Sequence, residues 1–159
     1  MADRTTRKIY ETKGADRLAV PMANGVTLPI GTLVQSESGF ANHYDGVAGK
    51  TLLGIVVGGE NLDASGNPVG DTGLTPDAAC YVDASGVVVT GIAVASSTVI
   101  GVLVYCNDSN LDNAHITQPT TDAPIGWIVG WRSATDVDVK LFTSIEHSIG
   151  VATAHAAWA

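Results

Sequence analysis

The side chains of this 159-residue chain that could do chemistry fall in a few short stretches. "GVAGKT" (46–51) ends in Gly-Lys-Thr, like the close of a phosphate-binding loop. Such a loop needs four residues between its two glycines, so that successive backbone N–H groups wrap a phosphate. Here the position that would have to be glycine is Tyr44, and no helix-forming segment follows, so the stretch reads as a turn. "NLDASGNPVGDT" (61–72) sets oxygen-bearing side chains at Asn61, Asp63 and Ser65 ahead of Gly66, the opening of a calcium loop. Its twelfth position should be a bidentate Glu and is Thr72, and no helices flank it; a polar surface loop is the reading.

Asp136 and Asp138 are carboxylate neighbours on one strand face, but nothing around them divides acid from base. Serine, histidine and aspartate are all present without a Gly-x-Ser-x-Gly elbow. His43, His115, His147 and His155 have no metal-ligand spacing, and Cys80 and Cys106 form no CxxC. No catalytic residue, cofactor or metal ligand is therefore expected, and the chain reads as a non-enzyme. Trp127, Trp131 and Trp158 are the groups able to stack on a sugar. Trp127 and Trp131 are four apart and share a face on a straight strand, where burial in the fold or in an oligomer is the simpler use. Trp158, second from the end, reads as an exposed anchor.

These residues must be positioned by β-structure. Eighteen glycines, abundant Val, Thr and Ser, and only 15% charged residues argue against helices. Strand-like runs fall at 17–20, 31–35, 52–58, 79–83, 86–94, 98–106, 125–132 and 136–142. "TDVDVKLF" alternates, with Asp136, Asp138 and Lys140 on one side and Val137, Val139 and Leu141 on the other, as a half-buried strand does. The segments 58–77 and 107–124 are polar, rich in Gly, Pro, Asn and Asp, and aperiodic. Loops this long lie over a surface or meet a partner. The tail has alanine enough for a helical turn or two, weakened by Gly150 and β-branched residues.

A Gly followed by a short apolar run recurs: "TLLGIVVGG" (51–59), "PIGTLVQ" (29–35), "VIGVLVY" (99–105) and "PIGWIVGW" (124–131). Ser38-Gly39 leads to Gly54 and Ser85-Gly86 to Gly101, both over fifteen residues, which suggests a twice-used unit of strand, Ser-Gly turn and Gly-led strand. The fold class expected is all-β: a small barrel or sandwich of short antiparallel strands with Gly corners, long surface loops and an extended N-terminal arm.

The net charge of −8 is uneven. Residues 1–17 hold five of the eight basic residues, while the rest keeps Lys50, Arg132 and Lys140 against thirteen acids. An acidic body repels phosphates, so no nucleic-acid partner is expected. No run approaches the ~20 apolar residues of a membrane-spanning helix, the start has no apolar signal region, and two cysteines suit a reducing cytosol. The chain divides into a flexible basic arm (1–17), a β-domain (18–143) and a tail (144–159).

Residues 28–59, with Pro29, Leu33-Val34, the Ser36–Gly39 turn, Tyr44-Asp45-Gly46 and Gly54-Ile55-Val56-Val57, resemble the central part of the head decoration (capsid cement) proteins of lambda-type tailed phages. The rhythm at 80–105 and the strand "DVDVKLF" are similar to a second cement group, the short β-barrel proteins of many prophages. The resemblance implies a homotrimer on the outer surface of an icosahedral head, made in the host cytoplasm, that binds the major capsid protein after expansion and locks neighbouring capsomers. It also implies an N-terminal arm that orders on the shell by adding a strand. Here that arm holds Arg4, Thr5, Thr6, Arg7, Lys8, Ile9, Tyr10, Glu11, Thr12 and Lys13, whose β-branched and aromatic residues among charges suit a strand formed at an offered edge. The alternative from another class is a carbohydrate- or receptor-binding β module on a virion surface.

Overall fold

Each apolar run singled out above becomes a strand. The computed structural model describes residues 9–10, 17–47, 50–71, 78–94, 99–116, 123–133 and 136–148. Its strands are β1 (Ile9–Tyr10), β2 (Arg17–Pro21), β3 (Leu33–Glu37), β4 (Phe40–His43), β5 (Thr51–Gly59), β6 (Ala79–Asp83), β7 (Val88–Ala93), β8 (Leu103–Tyr105), β9 (Pro124–Ser133) and β10 (Asp136–Leu141). They form two five-stranded sheets, ordered β1-β7-β10-β9-β8 and β2-β6-β5-β3-β4. All pairings between strands are antiparallel. The sheets pack as a sandwich, so of the two expected architectures the closed barrel is not the one adopted.

The main core lies between the sheets. Leu33, Leu52 and Ile55 of the β5 sheet meet Val89, Ile92, Val104, Ile125, Ile128, Val137, Val139 and Leu141 of the β7 sheet. A second, smaller core lies on the far face of the β5 sheet, where Val34, Ala41, Val56, Cys80 and Val82 pack with Met22 and Leu28. It is closed by a parallel bridge between Met22 and Ala41, an antiparallel bridge between Thr27 and Val69, and the bond from Leu28 N–H to the Pro68 carbonyl (2.9 Å). The β5 sheet is therefore buried on both faces, which is why "LLGIVV" is a continuous apolar run. β10 faces one core only and alternates as expected.

The two sheets are built on one plan. The strands β2, β3, β5 and β6 are arranged β2-β6-β5-β3, and β7, β8, β9 and β10 are arranged β7-β10-β9-β8. The registers agree residue by residue: the row Leu33–Ile55–Asp83 of one corresponds to Leu103–Trp127–Lys140 of the other. Both long strands bulge at matching positions, with Leu53 and Val57 skipped in β5 and Ile125 and Val129 skipped in β9. Each unit also opens on the same turn. Thr32 N–H bonds to the Pro29 carbonyl and Val102 N–H to the Val99 carbonyl, with Gly31 at φ 85° and Gly101 at φ 89°. Gly31 and Gly101 then donate to Val56 and Ile128, each at 2.8 Å.

The duplication is real, but its frame differs from the expected one. Ser38 (φ 53°) and Gly39 (φ 85°) close the two-residue hairpin between β3 and β4 within one sheet. Ser85-Gly86 instead lies where the chain crosses from β6 to β7 in the other sheet. Gly54 is mid-strand and matches Gly126, whereas Gly101 is a turn residue and matches Gly31. Ser-Gly is local turn chemistry and carries no information about which sheet the next strand joins.

The two long polar segments also have packing roles. The described part of 60–77 ends against the second core, Gly70 N–H bonding to the Val26 carbonyl (2.7 Å). In 107–116 a 3-10 turn, Leu111–Asn113, inserts Leu111 into the main core, and Cys106 is buried there too. Cys80 lies in the other core, so the two cysteines do not face one another and form no disulfide.

Candidate functional site

Of the arm, the structure describes Ile9 and Tyr10; Arg4, Thr5, Thr6, Arg7, Lys8, Glu11, Thr12 and Lys13 lie outside the described residues. Ile9 and Tyr10 form β1, antiparallel to β7 with Ile9 opposite Val89 and Tyr10 opposite Val88. The arm thus adds a strand to a sheet edge, and the edge it takes is in its own chain. Among the described residues two pairs hold it there by main-chain bonding, the sequence-tolerant part of strand addition.

The stretches that resemble reactive sites are tied up in structure. In "GVAGKT", Lys50 Nζ lies 2.5 Å from Asp45 Oδ2 and 3.3 Å from Glu37 Oε1, and the Asp45 contact holds the ammonium above its ordinary range. The amine thus braces the turn against β3 and is not presented to a phosphate. In the calcium-like loop, Asp63 Oδ1 accepts the N–H groups of Asn67 (2.9 Å) and Ser65 (2.8 Å). Those backbone bonds, Asn67 first, hold its carboxyl below the usual carboxylate value. That is a side chain closing its own loop.

Asp138 lies 3.7 Å from Arg132 across β9 and β10. Among the described residues no three His, Cys, Asp or Glu side chains come together to hold a metal ion. Nor is any helix among them long and apolar enough to cross a membrane.

The tryptophans depart from the straight-strand expectation. Trp127 pairs with Lys140 and Trp131 with Val137, residues that alternate to opposite faces of β10. The bulge at Val129 inserts the extra residue that breaks the four-residue periodicity. Trp131 is 54% exposed in the single chain. Trp158 lies outside the described residues.

One polar group was not singled out by its sequence context. Residues 144–148 form a helical turn capped in both directions: Glu146 N–H donates to Thr143 Oγ1 (3.2 Å) and Thr143 N–H to Glu146 Oε2 (2.8 Å). The turn carries His147, 1% exposed, onto the main core. Leu52 N–H donates to His147 Nδ1 (3.4 Å), so that nitrogen is unprotonated and Nε2 carries the hydrogen toward Tyr44 Oη, 3.3 Å away. The rings of Tyr44 and His147 meet edge to face at 5.9 Å. Burial pushes the imidazole pKa down to about 4. The Thr-x-x-Glu spacing at 143–146 was the legible signal for this turn; the burial of His147 had none.

Comparisons with known protein families, with curated proteins and with solved structures found no match.

Proposed function

We propose that this chain is a structural virion protein. It binds the outside of an icosahedral phage head as a homotrimer and cements neighbouring capsomers of the major capsid protein after expansion. The observation that carries the reading is β1: among the described residues, the basic arm pairs with a sheet edge through Ile9 and Tyr10. Edge pairing of this kind is made by main-chain bonds, which an edge offered by a shell supplies equally well. The resemblance of residues 28–59 to decoration proteins supports it, and so does a body whose polar stretches serve the fold. Cementing then works by summation, since modest contacts add when the shell presents them in fixed geometry.

Removal of residues 1–15 tests the arm. The described cores are built from residues 20–141, so the truncated chain is expected to fold and to lose cosedimentation with expanded heads. Undiminished binding by the truncated chain would remove the arm from the mechanism.

The second reading, a carbohydrate- or receptor-binding module, is favoured by one observation, the exposure of Trp131. A glycan array probed with the native chain and with Trp131→Ala separates the two. Specific glycan signal that Trp131→Ala abolishes is the outcome this reading requires.

A further inference from the structure

Among the described residues, the internal duplication leaves one sheet face without the cover its counterpart has. In the β5 sheet, Leu33 and Ile55 stand opposite one another on the face packed against the β7 sheet, and both are fully buried. Their equivalents are Leu103 and Trp127, opposite one another on β8 and β9. The β7 sheet, however, turns its other face to the core, that of Val104, Ile128 and Val139. Leu103 and Trp127 therefore point away from the sandwich, Leu103 being 37% exposed and Trp127 half-buried. Register continues their row across the sheet through Lys140 to Val88. The turn before β8 adds Val99 and Ile100, 61% and 53% exposed.

Charge distinguishes the same face. After residue 17 the chain has three basic residues against thirteen acids, and two of the three, Arg132 and Lys140, stand on β9 and β10. There they are balanced by Asp136 and Asp138, so the face is neutral in a body that is strongly negative. Repulsion between two such bodies is weakest where these faces meet. The Lys140 ammonium donates to the Gly86 carbonyl (3.2 Å), leaving its methylene stem in the apolar row.

We infer that the outer face of the β7 sheet is the surface on which a second copy of this chain docks, through Leu103, Trp127, Val88 and the stem of Lys140. The contact is face to face, the row of one copy meeting the same row of the other. The Leu33–Ile55 face of the first unit is covered by an apolar sheet, and the equivalent face of the second unit takes its cover from a neighbour. The first unit's far face is closed by Met22, Leu28 and the bridge between Thr27 and Val69, so stacking ends at a discrete assembly and does not run on as a filament. The inference does not depend on the capsid reading, and the two-fold contact it describes is distinct from the interface that closes a trimer.

The test is sedimentation of the full chain, with mass from light scattering, over a wide concentration range. The native chain sediments as a multimer. Leu103→Glu places an unpaired carboxylate in the contact and weakens association by about tenfold or more, shifting the mass to a single chain. Leu18→Glu, on the exposed part of β2 in the other sheet, leaves the multimer intact. A native chain of single-chain mass at every concentration overturns the inference, and so does an unchanged multimer in Leu103→Glu. If Leu103→Glu loses its cooperative unfolding transition, Lys140→Glu on the same row is read by the same two outcomes. Head binding is a separate measurement: self-association through this face without head binding keeps this inference and removes the capsid reading.

Discussion

Gly126→Ala is expected to destabilise the chain by roughly 3–5 kcal/mol, a large share of the stability of an ordinary domain. A Cβ added at Gly126 runs into the backbone carbonyl of Lys140 on the adjacent strand, and one added at Gly54 runs into that of Asp83. In neither case is the obstacle a flexible side chain that could turn aside. Gly54 also sits at φ 151°, a conformation that side-chain-bearing residues rarely adopt. Since Asp83 and Lys140 hold the same register position in the two units, both glycines solve one problem, the close approach of a bulged strand to its neighbour. Gly101→Ala is the control, because nothing lies near its added Cβ and the turn strain alone costs roughly 1–2 kcal/mol. Urea denaturation of Gly126→Ala, Gly54→Ala and Gly101→Ala checks that the first two lose more than the third. A Gly126→Ala protein no less stable than Gly101→Ala would show that the strands can part there without cost.

The second large effect is a loss of stability in mild acid that comes from His147. Its pKa falls from 6.5 to about 4 on folding, because burial disfavours the charged ring. Below pH 6.5 the unfolded chain takes up a proton that the folded chain refuses until about pH 4. The stabilisation is therefore complete above pH 6.5 and is lost as the pH falls toward 4, amounting to about 3 kcal/mol across that window. The carboxyls of Asp63 and Glu146, held below their ordinary values by backbone bonds, act in the same direction but at lower pH. Urea midpoints measured between pH 5 and 7.5 thus isolate the histidine. Replacing it as His147→Phe is expected to flatten the slope in this window, whereas an unchanged slope would assign the acid sensitivity elsewhere.

Much of this architecture is written locally. The alternation of Val137, Val139 and Leu141 with Asp136, Asp138 and Lys140 is the burial pattern of β10. All eight expected runs are strands, and the repeated Gly-led cassettes mark the duplicated turns and bulged strands. β4 was not legible because Phe40–His43 has neither alternation nor β-branched residues; its place comes from the hairpin at Ser38-Gly39. Bulges were not legible either, and one of them sets Trp127 and Trp131 on different faces. For the arm, composition indicates a strand-forming segment, but only pairing shows that Ile9 and Tyr10 take the β7 edge.

"PIGTLV" and "VIGVLV" mark the division most clearly. From either string alone one reads a turn with glycine at its third position followed by a strand, because backbone sterics and side-chain periodicity act over a few residues. The structure makes both so, residue for residue. Yet Leu33 is buried in the main core and Leu103 faces outward, although each follows its glycine by two positions. Which face of a sheet turns inward depends on the surface that meets it, and that surface comes from strands distant in the chain. Turn and strand were determined by the sequence; burial, and with it the open face of the β7 sheet, was decided only when the two units packed.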